Sequence, residues 1–201
     1  MNKNNILVGV SGPFGSGKST ITAMVASRYA DVTRIKMDNY LHQVDVDQTA
    51  AKEKGLQSMY DFGRLRQDLL TLKNDRPIAA PIFEPVTYER GSRVVHPTSI
   101  VLVEGSFLFV EPSVRNLFDL RVYIHLADEF IFQRNRQKWS KDSEKYYVNH
   151  ILGLFRMFGS DQENFADVVI SSSDPVEVVS KNLEEFLRQR TNIAPPEEMA
   201  A

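Results

Sequence analysis

The sequence predicts an α/β fold, with a mostly parallel, five-stranded sheet flanked by helices. Two observations carry this. Short apolar runs rich in β-branched residues alternate with stretches whose apolar residues recur at helical spacing. A glycine-rich segment, Gly12 to Ser19, separates the first such run from the first helical stretch. With 201 residues, the chain can build one good core and would be hard pressed to build two.

Ile6 to Val10 is the first strand, apolar without a break, as a strand covered on both faces should be. From Lys18 to about Ala30, Ile21, Met24 and Val25 recur at helical spacing. "VTRIKMD" alternates instead, Thr33, Ile35 and Met37 against Arg34 and Lys36, which predicts a half-exposed strand toward a sheet edge. Leu41 to Gln57 is polar and aperiodic and reads as a loop or flap. "DFGRLRQDLLTLKN" predicts a helix that buries Phe62, Leu65, Leu69, Leu70 and Leu72. Arg76 to Pro97 holds four prolines and reads as extended and loop-rich. Residues 41–97 therefore form an insertion, and long insertions in compact domains usually serve function.

"SIVLVEG" is a second buried strand, "LRVYIHL" a third central one and "ADVVIS" the last. Between them, Pro112 starts a short helix through Phe118. Asp128 to about Lys141 forms a charged helix with Phe130, Ile131 and Trp139 on its apolar side, and Ser143 to Phe158 forms another. In "DPVEVVSKNLEEFLRQR", Asp174 is the expected N-cap and Pro175 the first helical residue. Val178, Val179, Leu183, Phe186 and Leu187 make the buried stripe. One domain thus spans 1–191, and 192–201 is a flexible tail.

Composition narrows the function. The formal charge is -2, whereas a general nucleic-acid binder needs a basic surface to displace counterions, so nucleic acid is not an expected partner. The absence of cysteine excludes disulfides and thiolate metal sites. His42, His96, His125 and His150 show no metal-ligand spacing. The longest apolar stretch, "IVLVEGSFLFV", is broken by Glu104, Gly105 and Ser106 and is far short of a membrane span. The first apolar run is too short for a secretory signal. A soluble, cytoplasmic protein is expected.

"GPFGSGKS" fits G-x-x-x-x-G-K-[ST] and lies between a strand and a helix, the context that motif requires. Peptide N–H groups of a loop poor in side chains can turn inward around an anion, and the following helix adds the positive end of its dipole. Gly12, Pro13, Phe14, Gly15, Ser16, Gly17, Lys18, Ser19 and Thr20 are the predicted nucleotide cradle of a P-loop NTPase fold. Lys18 would bridge the outer phosphates, and the Ser19 hydroxyl would ligate the magnesium that accompanies ATP.

Ligands of parallel α/β sheets gather outside the carboxyl ends of the strands. Asp38 follows one strand and Glu104 closes another, so both should meet the phosphate loop. Glu104 suits magnesium. Asp38 suits the role of base toward an attacking hydroxyl and can also reach a metal-bound water. A switch GTPase would carry N-K-x-D and D-x-x-G, and neither is present.

"GVSGPFGSGKST", "KMDNY", "YDFGRLRQDL", "PIFEPVTYER", "IVLVEGSFLF" and "ADVVI", in that order between residue 9 and about 170, resemble the uridine kinase and phosphoribulokinase-like family of P-loop kinases. The resemblance implies ATP-dependent transfer of the γ-phosphate to a hydroxyl of a small molecule, a nucleoside or something like one. It implies Asp38 as base, and Ser19 and Glu104 at the magnesium. It also implies a basic lid around 134–146, where Arg134 and then Arg136 are the candidates for stabilising transferred charge. Uridine kinases carry a histidine where this chain has Tyr88, and of their ribose-binding stretch only Asp61 is retained. Kinases of nicotinamide riboside, pantothenate, sugars or sugar phosphates are therefore the alternative, with a non-kinase nucleotide-binding regulator as the rival class.

Asp38, Tyr40, Asp61, Phe83, Tyr88 and Arg90 are the candidate substrate wall. Asp61 is either a ligand for substrate hydroxyls or a helix N-cap. Phe83 and Tyr88 either stack on a ring or pack beneath their loop. Arg90 either binds substrate or pairs at the surface. Assembly into a homo-oligomer is compatible with the sequence.

Overall fold

The structure is a computed structural model that describes residues 5–42, 48–84, 87–136 and 152–193. The main sheet contains β1 (Ile6–Ser11), β2 (Val32–Lys36), β5 (Ile100–Glu104), β6 (Leu120–His125) and β7 (Val168–Ser171), in the order β2-β5-β1-β6-β7. All four pairings are parallel. The five-stranded parallel sheet is therefore as expected, and β2 is indeed an edge strand.

Both faces of the sheet are covered. On one face Val8, Val10, Ile100, Leu102, Val122, Ile124 and Ile170 meet α1 (Lys18–Arg28) and the C-terminal helix Val176–Arg190. On the other, Leu7, Ile35, Val101 and Val103 meet α3 (Phe62–Lys73) and the aromatic cluster of Phe107, Phe109 and Phe118. Alternate residues of β5 serve opposite cores, which is why its sequence is apolar at every position and shows no period of two.

Several expectations need correction. Arg76 to Pro97 is extended, as expected, but less of it is loop than expected. It forms an antiparallel hairpin of β3 (Ile78–Phe83) and β4 (Arg90–Val95), a second sheet of two strands. In β4 only Val95 is buried, so no apolar alternation announces it. Within 41–57, α2 (Gln48–Lys54) and a single 3₁₀ turn, Leu56–Ser58, replace the expected loop. In α3, Phe62, Leu65, Leu69 and Leu72 are buried as predicted, but Leu70 is only half-buried.

The helix expected from Pro112 through Phe118 is shorter, α4 (Pro112–Arg115), and α5 is described over Asp128–Arg136. The helix predicted from Ser143 is described only as α6 (Leu152–Phe158). The last helix, α7 (Val176–Arg190), has Pro175 and not Asp174 at its N-cap position, with no side-chain cap bond. Val178 is 43% exposed and lies off the buried stripe, which Val179, Leu183, Phe186 and Leu187 do form. Lys138, Trp139, Lys141, His150 and most of the predicted lid and tail lie outside the described residues.

Candidate active site

The segment between β1 and α1 bends through three glycines with positive φ: Gly12 (149°), Gly15 (80°) and Gly17 (85°). Gly17 is the N-cap of α1 in the left-handed conformation, so the helix opens directly on the loop. Space matters as much as φ at Gly12. A Cβ there would stand 2.3 Å from the Ile124 carbonyl oxygen on the neighbouring strand. Gly12→Ala should therefore cost about 3 kcal/mol, from strained backbone and a forced strand separation. Thermal unfolding should show a midpoint lower by roughly 6–12 °C for a chain of this size. An unchanged midpoint would mean that the loop does not sit against β6.

Lys18 is 6% exposed and folds back on the loop. Its ammonium donates to the carbonyls of Gly12 and Pro13, each at 2.8 Å, and to Ser16 Oγ at 3.4 Å. Burial lowers its pKa from 10.5 to about 8, while the charges of Glu104 and Asp38 oppose that shift. The Phe14 ring packs edge-on to Phe107, with centroids 5.7 Å apart, and lies 5.9 Å from the Lys18 ammonium.

Glu104 ends β5 almost fully buried, at 4% exposure. The Ser19 hydroxyl donates to its Oε1 at 2.8 Å. A hydroxyl at the head of a helix, in contact with a buried carboxylate, is the donor set a nucleotide-borne magnesium uses: few protein oxygens, with phosphate and water completing the octahedron. Among the described residues, no group of three or more acidic, histidine or cysteine side chains could hold a metal without such help.

Asp38 sits in the 3₁₀ turn Met37–Tyr40 that follows β2, where the register pairs Lys36 with Glu104. The carboxylates thus leave adjacent strand ends. Their separation is fixed below them, because Gly105 is pressed against Met37: a Cβ at 105 would lie 2.5 Å from Met37 Cβ and 2.8 Å from its sulfur. The crowding of protein around Asp38 raises its pKa from 3.8 to about 6. The Glu104 charge contributes to that rise, and Lys18 and a hydrogen bond from Tyr60 limit it. Asp38 keeps a solvent-exposed side, so this value reflects crowding on its other side and the like charge of Glu104.

Beside the loop lies a cleft of about 260 Å³, lined in part by Gly15, Gly17, Thr20, Arg134, Ser172 and Asp174. Arg134 donates to the Ser172 carbonyl and shares this cleft with Gly15 and Gly17. The side chain of Arg136 lies outside the described residues. Asp174, freed of capping, is part of this wall.

The predicted substrate wall divides. Asp61 caps α3, accepting from the Arg64 amide at 2.8 Å. Tyr40 is 3% exposed and its hydroxyl donates to Asp68 at 2.8 Å, so it supports the turn that carries Asp38 and is not a free substrate contact. Phe83 and Arg90 do come together: the guanidinium lies 5.2 Å from the ring centroid and donates to the Leu41 carbonyl at 2.8 Å. These contacts, with the Phe83 amide donating to Asn39 Oδ1 at 3.2 Å, dock the hairpin beside Asp38. Tyr88, at the turn of the hairpin, has φ 60° and is 58% exposed. Sequence reasoning passed over Tyr60, whose hydroxyl donates to Asp38 Oδ1 at 3.3 Å, and Gln162. Gln162 is buried and ties Ser11, Ser106 and Phe109 together behind the loop.

A parallel sheet with a phosphate loop after its central strand, and two carboxylates at neighbouring strand ends, defines the class of P-loop kinases. The chain belongs to the Phosphoribulokinase / Uridine kinase family, whose model matches residues 7–145. It is similar to the uridine kinase of Borreliella burgdorferi (strain ZS7), 30% identical over 175 residues that cover 82% of this chain and 85% of that one. It is also similar to the uridine kinase of Latilactobacillus sakei subsp. sakei (strain 23K), 26% identical with 84% and 86% covered. In structure it resembles a possible uridine kinase from Bacillus stearothermophilus, with TM-score 0.61, 20% identity, and 83% and 88% covered. The protein is thus a uridine kinase-like phosphotransferase that uses ATP and acts on a hydroxyl of a small molecule. Among the described residues no helix is long and apolar enough to cross a membrane.

Proposed function

We propose that the chain transfers the γ-phosphate of Mg·ATP to a hydroxyl of a nucleoside or nucleoside-like acceptor, with Asp38 as the base. The observation that supports this is the convergence of Asp38, Glu104, Ser19 and Lys18 on one edge of the sheet. In the reaction, the Asp38 carboxylate takes the hydroxyl proton as the acceptor oxygen bonds to the γ-phosphorus. The bridging oxygen leaves with ADP. Lys18 exchanges its loop carbonyls for phosphate oxygens and offsets their charge, with Arg134 approaching from the other wall. Ser19 would hold the magnesium directly and Glu104 would orient its water; the ion would neutralise phosphate charge.

One domain over 1–191, with the region 41–97 walling the acceptor, fits the docking of the hairpin beside Asp38. A net charge of -2 agrees with a small-molecule acceptor in place of nucleic acid.

A second reading concerns the acceptor alone. Asp61 is engaged as a helix cap, and Tyr88 occupies the usual histidine place in a left-handed turn. Both observations favour a vitamin or sugar over a pyrimidine nucleoside, because a site built on hydrogen bonds rejects analogues sharply when one partner changes. ATP turnover measured with uridine, cytidine, nicotinamide riboside, pantothenate and ribose separates the readings. Stimulation by one of them is expected and identifies the acceptor class. A flat panel would instead support a nucleotide-binding regulator.

A further inference from the structure

We propose that Tyr60 is a positioning residue for the phosphoryl transfer: its hydroxyl holds one oxygen of Asp38 and leaves the other turned to the acceptor. This rests on the reading of Asp38 as the base. Asp38 stands in a short turn at the end of an edge strand and has a solvent-exposed side, and the bond its carboxylate accepts comes from the Tyr60 hydroxyl. Tyr60 is the reverse. It is 3% exposed, and its ring packs against Phe62 and Phe107, with centroids at 5.9 and 6.1 Å.

Its backbone is tied to the very segment that carries Asp38. Residues 41 and 60 form an antiparallel bridge, the Asp61 amide donates to the Tyr40 carbonyl at 2.8 Å, and the His42 amide donates to the Met59 carbonyl at 2.8 Å. The Tyr60 amide is itself fixed, donating to the Leu56 carbonyl at 3.0 Å. A rigid donor is therefore zipped onto the segment that carries its acceptor, and the contact between them is the 3.3 Å bond to Oδ1.

The chemistry suits a donor that never becomes a base. Burial and the neighbouring Asp38 charge push the Tyr60 phenol well above its usual 10, so it stays protonated at any working pH. A phenol has one proton to give, and here that proton is directed at Oδ1. The acceptor's proton then goes by preference to Oδ2, because Oδ1 already accepts from Tyr60. Misplacing a reacting group by about 1 Å can cost up to about a hundredfold in rate, so a bond that sets carboxylate orientation has kinetic weight. A phenylalanine would fill the same space in the aromatic cluster, and the hydroxyl is the part with a function to explain.

The test is a double-mutant cycle between Tyr60→Phe and Asp38→Asn, run with Mg·ATP and the panel compound that turns over. Tyr60→Phe should lower kcat about tenfold, leave the KM for ATP within about twofold and leave the unfolding midpoint nearly unchanged. In the Asp38→Asn background the same substitution should cost less than about twofold, because Tyr60 acts through that carboxylate. Wild-type kcat in Tyr60→Phe, with Asp38→Asn crippled, would overturn the inference and leave the base reading standing. An equal loss from Tyr60→Phe in both backgrounds would also overturn it, by showing that the hydroxyl acts elsewhere. Near-normal turnover in Asp38→Asn would remove the base reading, and the inference with it.

Discussion

Asp38→Asn should lower kcat by at least about a hundredfold while ATP binding stays close to that of the unaltered protein. The amide keeps the size and much of the polarity of the carboxylate, but it cannot take the acceptor's proton, and a positioned base usually contributes about 10²–10⁴ in rate. The same residue should shape the pH profile. Its pKa in the folded protein is raised from 3.8 to about 6, so the protonated, inactive form persists further up the pH scale than for an ordinary aspartate. For ATP, kcat/KM reports ionisations of the free enzyme, and it should rise with pH up to about 6 and fall again above about 8, where Lys18 loses its proton. The residual activity of Asp38→Asn should lack that acid limb. A limb that survives the substitution would assign it to another group, and turnover near normal would remove Asp38 from the chemistry.

Lys18→Met should have two opposite effects. Phosphoryl transfer should fall by about 10²–10³, the scale on which one preorganised charge donor acts. The ligand-free protein, however, should become more stable. Folding lowers the Lys18 pKa from 10.5 to about 8, chiefly by burial, so at neutral pH the charge is held against an unfavourable environment. At about 1.4 kcal/mol per pKa unit that amounts to about 3 kcal/mol. The unfolded chain binds more protons than the folded one between about pH 8 and 10.5, so the penalty fades as pH rises through that window. Methionine removes the penalty but also loses the bonds to Gly12 and Pro13. A net gain of about 1–2 kcal/mol, or roughly 2–8 °C in the midpoint, is expected. Calorimetric unfolding without nucleotide checks this, and a lower midpoint would show that Lys18 stabilises the empty loop.

What the sequence revealed and what it concealed follow from the same physics. The parallel sheet was legible because strands buried on both faces are apolar throughout, as in Ile6 to Val10 and Ile100 to Val103. Asp38 and Glu104 were legible because topology alone sends strand ends to one edge. The hairpin was hidden: four of the five residues before Val95 in β4 are polar or glycine, and Pro81 within its partner argues against a ladder. α2 was hidden because a short polar helix has no stripe. Tyr60 was invisible for another reason. In "SMYDF" an aromatic residue serves a core equally well with or without its hydroxyl, and only the fold brings residue 60 to residue 38. Asp61 had two readings from sequence, and the one realised is the local one, a cap three residues from its donor.

Gly105 against Met37 has a consequence for how this chain can drift. Any side chain at 105 needs volume that Met37 already fills, so the two positions must trade size between them, each permitting change only after the other has yielded. Relatives of this protein that have lost the glycine should therefore carry a smaller residue beside their aspartate, a pairing that a comparison of sequences can reveal without any measurement of activity.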